Sequence, residues 1–155
     1  MIRKTWTIIA ILLFVLFAIV AQVFALTGRT NPPVQNQVTW DSPQTKELFY
    51  RACADCHSNE TKWPWYSKIP PVSLLIVHDV TEARDKFNIS TPDMGEADEA
   101  AEIVLEGKMP PKTYQLMHPG ARLTTEERQS LAQGLQKTFG GELEEDERHE
   151  REDDD

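Results

Sequence analysis

Cysteine is scarce in this chain. There are two, at positions 53 and 56, beside four histidines at 57, 78, 118 and 149. A structural zinc site needs four donors, and the chain has neither a second C-x-x-C nor a closely spaced histidine pair to supply them. A disulfide closed across two intervening residues would be strained and would leave His57 unexplained. Period-two alternation, internal repeats and any βαβ pattern are also missing. That argues against a thioredoxin-type redox pair, whose C-x-x-C opens a helix inside a βαβ unit. No basic patch exists, which leaves no footing for nucleic acid. The formal net charge is −9, but "GELEEDERHEREDDD" (141–155) holds ten acidic residues against two arginines, so the other 140 residues carry only −1. Such a run reads as a disordered, solvating tail, with docking to a basic partner as its alternative use.

One long run lacks charge altogether. From Trp6 to Leu26 there are 21 uncharged residues, with Thr7 and Gln22 the only clearly polar ones. At about 1.5 Å per residue this helix spans about 30 Å, a bilayer core. Arg3 and Lys4 before it favour a cytoplasmic N-terminus. The expected layout is a cytoplasmic start (1–4), a transmembrane anchor (5–26), a linker (27–40), a globular domain (41–140) on the periplasmic side, and the acidic tail. A cleaved signal peptide ending near Val23-Phe24-Ala25 is the competing reading of the same run.

The remaining 100 or so residues read as all-α. Asp41-Ser42-Pro43 looks like an N-cap with proline at the first helical position, opening a helix over 43–54 that puts Leu48, Phe49 and Ala52 on one side. A second helix is predicted over 72–87, with Val72, Leu75, Ile76, Val80, Ala83 and Phe87 at three- and four-residue steps. A third, over 96–106, stops at Gly107. Thr124 to Glu127 forms a capping box for a fourth, to about Phe139. Four helices joined by long loops make a small core, and a large flat apolar cofactor wrapped by the loops would complete it.

"CADCH" (53–57) carries the chemistry. C-x-x-C-H is the signature of covalent haem attachment. The thiols of Cys53 and Cys56 add to the two vinyl groups of haem, a helical turn between them matches that spacing, and His57 then lies under the ring to present an imidazole nitrogen to iron. For the sixth position, "EGKMPPKTY" (106–114) offers Met109, held before Pro110-Pro111; Met/His ligation suits electron transfer. His118 is its main rival, with Met117, His78 and Met94 behind. Trp63, Trp65 and Tyr66 of "WPWY" could wall the haem and donate to its propionates, or simply pack the loop. Ile69-Pro70-Pro71 could place a carbonyl behind His57.

Taken together, "CADCHSNETKWPWYSKIPPVSLLIVHDV" and "GKMPPKTYQLMHPGARLTTEERQSL" resemble the small haem-binding domain family of bacterial membrane-anchored c-type cytochromes, over about residues 40 to 140. The resemblance rests on C-x-x-C-H, W-P-W-Y, a double proline before a helix, and M-P-P before Y-x-x-x-H-P, the run that holds Tyr114 and His118. It implies one haem c on Cys53 and Cys56, His57 as proximal and Met109 as distal ligand, and a cytochrome-c-like fold. The cofactor-binding set expected is Cys53, Cys56, Trp63, Trp65, Tyr66, Pro70, Tyr114 and His118, with His57 and Met109 on the metal. The expected role is a membrane-tethered electron carrier, not an enzyme, serving redox proteins or a larger respiratory or photosynthetic complex. A five-coordinate haem sensor, a peroxidase-like enzyme and a structural haem subunit are the alternatives.

Overall fold

Helix signals dominate the sequence, and helices are what form. The structure, a computed structural model, describes residues 2–141; the tail expected to be disordered lies outside the described residues from 142 onward. Among the described residues there is no strand element. The helices are α1 (Ile2–Gly28), α2 (Pro43–Ala52), α3 (Ala54–His57), α4 (Val72–Lys86), α5 (Ala100–Leu105), α6 (Lys112–Met117) and α7 (Thr125–Phe139), with 3-10 turns at Trp65–Lys68, Ala97–Glu99 and Pro119–Ala121.

The four expected globular helices are α2, α4, α5 and α7. Their ends follow from the residues named. The Ser42 hydroxyl accepts from the Thr45 N–H at 3.1 Å, with Pro43 behind it. Thr124 and Glu127 close both halves of the capping box on α7. At the end of α5, Gly107 takes φ +75°, the Gly107 N–H donates to the Val104 carbonyl and the Lys108 N–H to the Ile103 carbonyl, a Schellman motif that only glycine adopts without strain. α3 and α6 were not expected; neither exceeds six residues, too short to show an apolar period. The third helix opens as the Ala97–Glu99 turn and becomes α-helical only at Ala100.

Two compact units result. The first comprises Met1–Asn36 and Asp55–Asp93, the second Gln37–Ala54 and Met94–Asp155. In the second, α2 and α5 each pack on α7. Its buried apolar residues include Leu48, Phe49 and Ala52, as the spacing in α2 predicted, with Val104, Leu131 and Leu135. Trp40 closes one end, its ring 5.0 Å from Phe49 and 5.7 Å from Phe139. Gly134 lets α7 approach α2, since a Cβ there would run into the Thr45 side chain.

In the first unit, α1 and the Trp65–Lys68 turn pack with α4. The buried side of α4 is Ser73, Val77 and Val80. Val72 and Leu75, expected on that side, are exposed instead. α4 has more apolar residues in its first turns than one face can bury, so the period alone could not say which would lie inward. Residues 29–36, read from sequence as linker, lie along this unit. The Gln35 and Asn36 N–H groups both donate to the Ser90 carbonyl, and the Asn31 and Asn59 side chains reach the Thr61 and Pro33 carbonyls.

Candidate functional site

The pentapeptide begins where α2 ends. The Cys53 N–H donates to the Phe49 carbonyl at 2.8 Å, the backbone then leaves helical geometry, and α3 gives one fresh turn carrying Cys56 and His57. The expected helix over 43–54 is therefore broken at Cys53. The thiols are not joined to each other.

Cys56 and His57 belong to the first unit, where the loop around them is fastened to the end of α4. His57 Nδ1 lies 2.9 Å from the Phe87 carbonyl, and the His57 carbonyl accepts from the Ile89 N–H at 3.0 Å. A carbonyl can only accept, so Nδ1 carries the hydrogen and the lone pair is on Nε2. The carbonyl behind His57 is thus that of Phe87, not one from Ile69-Pro70-Pro71. The reason is that α4 stops at Lys86, and the extended backbone of Phe87 turns its carbonyl out of the helix toward the ring. The Phe87 ring also lies 5.2 Å from the imidazole. Burial pushes His57 below the ordinary imidazole range, and the Phe87 and Ala83 carbonyls pull the other way. A neutral imidazole is the form that binds metal.

Burial, with Asp55 and Asp79 adding to it, pushes the Cys56 thiol up to about 11. It is protonated at neutral pH, unlike the activated thiolate of a disulfide oxidoreductase. Arg84 locks the chain that follows the motif. Its Nε donates to the Ser58 carbonyl, one terminal nitrogen to the Thr30 carbonyl, and the other to Asn31 Oδ1 and Thr61 Oγ1. Beneath lies a buried polar network in which Asn88 donates to Asn59, and the Asn59 N–H to the Ser90 hydroxyl.

The aromatics of the loop are also in this unit. Trp63 gives its indole N–H to Asn31 Oδ1 at 3.0 Å, and Tyr66 is half-buried with its ring edge-on to Trp65. Trp65 itself is exposed, and Pro70 is half-buried just before α4. His78 is exposed on α4, 3.5 Å from Glu82.

Cys53, Met109, Tyr114 and His118 belong to the second unit. Met109 is half-buried after the α5 cap, and its carbonyl accepts from Arg128, which also holds the Val104 carbonyl. His118 stacks on Tyr114 with centroids 4.1 Å apart, and its Nδ1 sits 3.1 Å from the Tyr114 carbonyl. Met117 is exposed and Met94 half-buried.

Sequence reasoning missed Arg84, Phe87 and Arg128. Arg84 had a signal: it follows Val80 by four residues, so an arginine stands on the stripe of Ser73, Val77 and Val80. The other two had none, because their contacts join segments distant in sequence.

Among the described residues no cluster of three His, Cys, Asp or Glu side chains could hold a metal ion by itself. A donor set of two unjoined thiols followed by an imidazole fixed through Nδ1 fits haem. An all-helical framework carrying this motif is of the haem-binding class. The profile of the haem-binding domain family matches residues 16–137, and the chain belongs to that family. No curated protein and no solved structure matches the chain. The family match takes in the second half of α1 and residues 27–40, beyond the stretch on which the sequence resemblance was read.

Proposed function

We propose that this protein is a membrane-tethered monohaem c-type cytochrome that carries single electrons on the outer face of the membrane. Haem c would be held by thioethers from Cys53 and Cys56, and His57 Nε2 and the Met109 thioether would bind its iron. When bound, haem supplies a one-electron iron couple. The observation that carries the reading is the Phe87 carbonyl on His57 Nδ1, directly after two unjoined thiols. That hydrogen bond sets the tautomer, aims Nε2 and raises its basicity. Arg84 and the Asn59–Asn88–Ser90 network hold the loop that follows the motif. Arg128 and the Gly107 cap hold the backbone of the methionine loop, leaving its thioether to do the binding. A methionine–histidine pair raises the potential and suits electron transfer.

α1 is long and apolar enough to cross a membrane, 25 residues from Lys4 to Gly28. As an uncleaved anchor with Arg3 and Lys4 in the cytoplasm, it leaves the haem domain in the periplasm. There the protein would serve redox proteins or a larger membrane complex.

The test is haem staining on a denaturing gel, with spectra of the oxidised protein. Wild type retains stain; Cys53→Ser with Cys56→Ser loses it. Wild type shows the long-wavelength charge-transfer band of a methionine–iron bond, and Met109→Ala loses it. A five-coordinate, ligand-accessible iron in the wild type would overturn the electron-carrier reading in favour of a sensor or peroxidase.

A further inference from the structure

In the first unit, contacts fix the level at which the loop after the haem motif meets α1. Gln22 Nε2 donates to the Lys68 carbonyl at 3.1 Å. Gly28 lies so close to Val77 that a Cβ on it would strike the valine side chain. Ala21 is the one buried residue among the described side chains of α1. Lys68 therefore stands beside Gln22 and Val77 beside Gly28, so α4 starts low and climbs alongside the end of α1. The climb between these two contacts is about 9 Å at the helical rise. The apolar span runs to Leu26, so Gln22 lies within its last 6 Å or so. In any bilayer that α1 crosses, the segment beside Gln22 sits at the boundary between acyl chains and headgroups.

The exposed side chains at that level match such a boundary. Trp65 is 72% exposed, Ile69 48%, Val72 41% and Leu75 62%. Farther along α4, away from the bilayer, the exposed side chains are His78, Asp79, Thr81, Glu82, Asp85 and Lys86. The change from apolar to charged follows the direction of the climb. From Thr61 to His78 there is no acidic residue, only Lys62 and Lys68, in a chain whose net charge is −9. Aromatic rings, aliphatic side chains and lysines with long stems are what an interface rich in anionic phosphates accepts.

We propose that residues 65–75 form a lipid-docking surface. Trp65, Ile69, Val72 and Leu75 enter the outer boundary of the bilayer, while Lys68 reaches its anionic headgroups. The proposal rests on α1 as an uncleaved anchor. The test uses the full haem-loaded chain in vesicles of phosphatidylcholine and phosphatidylglycerol, with Trp65, Leu75 or Glu82 replaced one at a time by the photo-crosslinker p-benzoylphenylalanine. Glu82 lies seven residues beyond Leu75 on nearly the same face of α4, about 10 Å higher. Mass spectrometry should find lipid adducts at positions 65 and 75 about tenfold more often than at 82, as a depth-limited interface requires. Retention after a carbonate wash with no lipid adduct at 65 or 75, equal adducts at all three, or protein adducts in place of lipid would overturn the docking surface and leave the anchor standing. Release by carbonate would overturn the anchor and the docking surface together.

Discussion

Arg84 shows how much the loop after the C-x-x-C-H motif depends on a side chain far from it in sequence. Its guanidinium makes four hydrogen bonds, to two carbonyls, an amide oxygen and a hydroxyl. A lysine ammonium is a single point on a flexible stem and cannot span partners so spread out. Arg84→Lys should cost about 1–3 kcal/mol, since charged hydrogen bonds of this kind contribute roughly that much and the side chain is only half-buried. Thermal unfolding of the detergent-solubilised chain checks it, and haem stain on a denaturing gel should be unchanged. At this scale the sequence was most readable where chemistry is local. Two thiols and an imidazole within five residues show in the sequence itself. The partner of that imidazole does not, because it depends on where α4 ends and which way the chain then turns. Pro70 and Pro71 drew the expectation toward their own carbonyls, while the geometry uses a phenylalanine with no polar side chain to announce it.

At the scale of elements, caps were more legible than faces. Ser42, Gly107 and the Thr124–Glu127 box act within four residues of themselves and were read correctly. The inward face of α4 was not, because apolar side chains surround its first turns. α3 and α6 are single turns or little more, held by their surroundings and not by a pattern of their own. The cap on α7 carries a pH signature. The Thr124 N–H donates to Glu127 at 2.9 Å, and Arg51 pairs with its other oxygen at 2.7 Å. The Thr124 hydrogen bond, then Arg51, holds the carboxyl below its ordinary value of 4.5. A depressed carboxyl contributes stability that is complete above its unfolded value and lost as pH falls through its folded one. Melting curves should therefore show wild type above Glu127→Gln by a constant margin from neutral pH down to the ordinary carboxylate range. That margin should close in stronger acid. A margin that held at all pH values would mean that the charge contributes nothing.

For the whole molecule, residues 27–40 matter most. Polar, proline-bearing and without period, they have the composition of a free linker. The hydrogen bonds that hold residues 29–36 run to the Ser90 and Thr61 carbonyls and leave no periodic trace in sequence. A chain beginning at residue 29 should be less stable than one beginning at residue 20, by about 1–3 kcal/mol, because it loses the Gln22 hydrogen bond and the packing of Ala21 and Gly28. Thermal melting of both in detergent decides it; equal stability would mean that the end of α1 adds nothing. The continuity of α1 with the first unit also changes how the protein meets others. Fourteen residues of free coil would let the head wander over a radius of about 20 Å. A helix running unbroken to Gly28, with α4 against its last turns, works as a post. In the membrane-tethered reading proposed above, His57 would ride at one altitude over the bilayer, free to drift and spin in the plane but without vertical slack, and a redox partner would have to offer its own centre at that altitude.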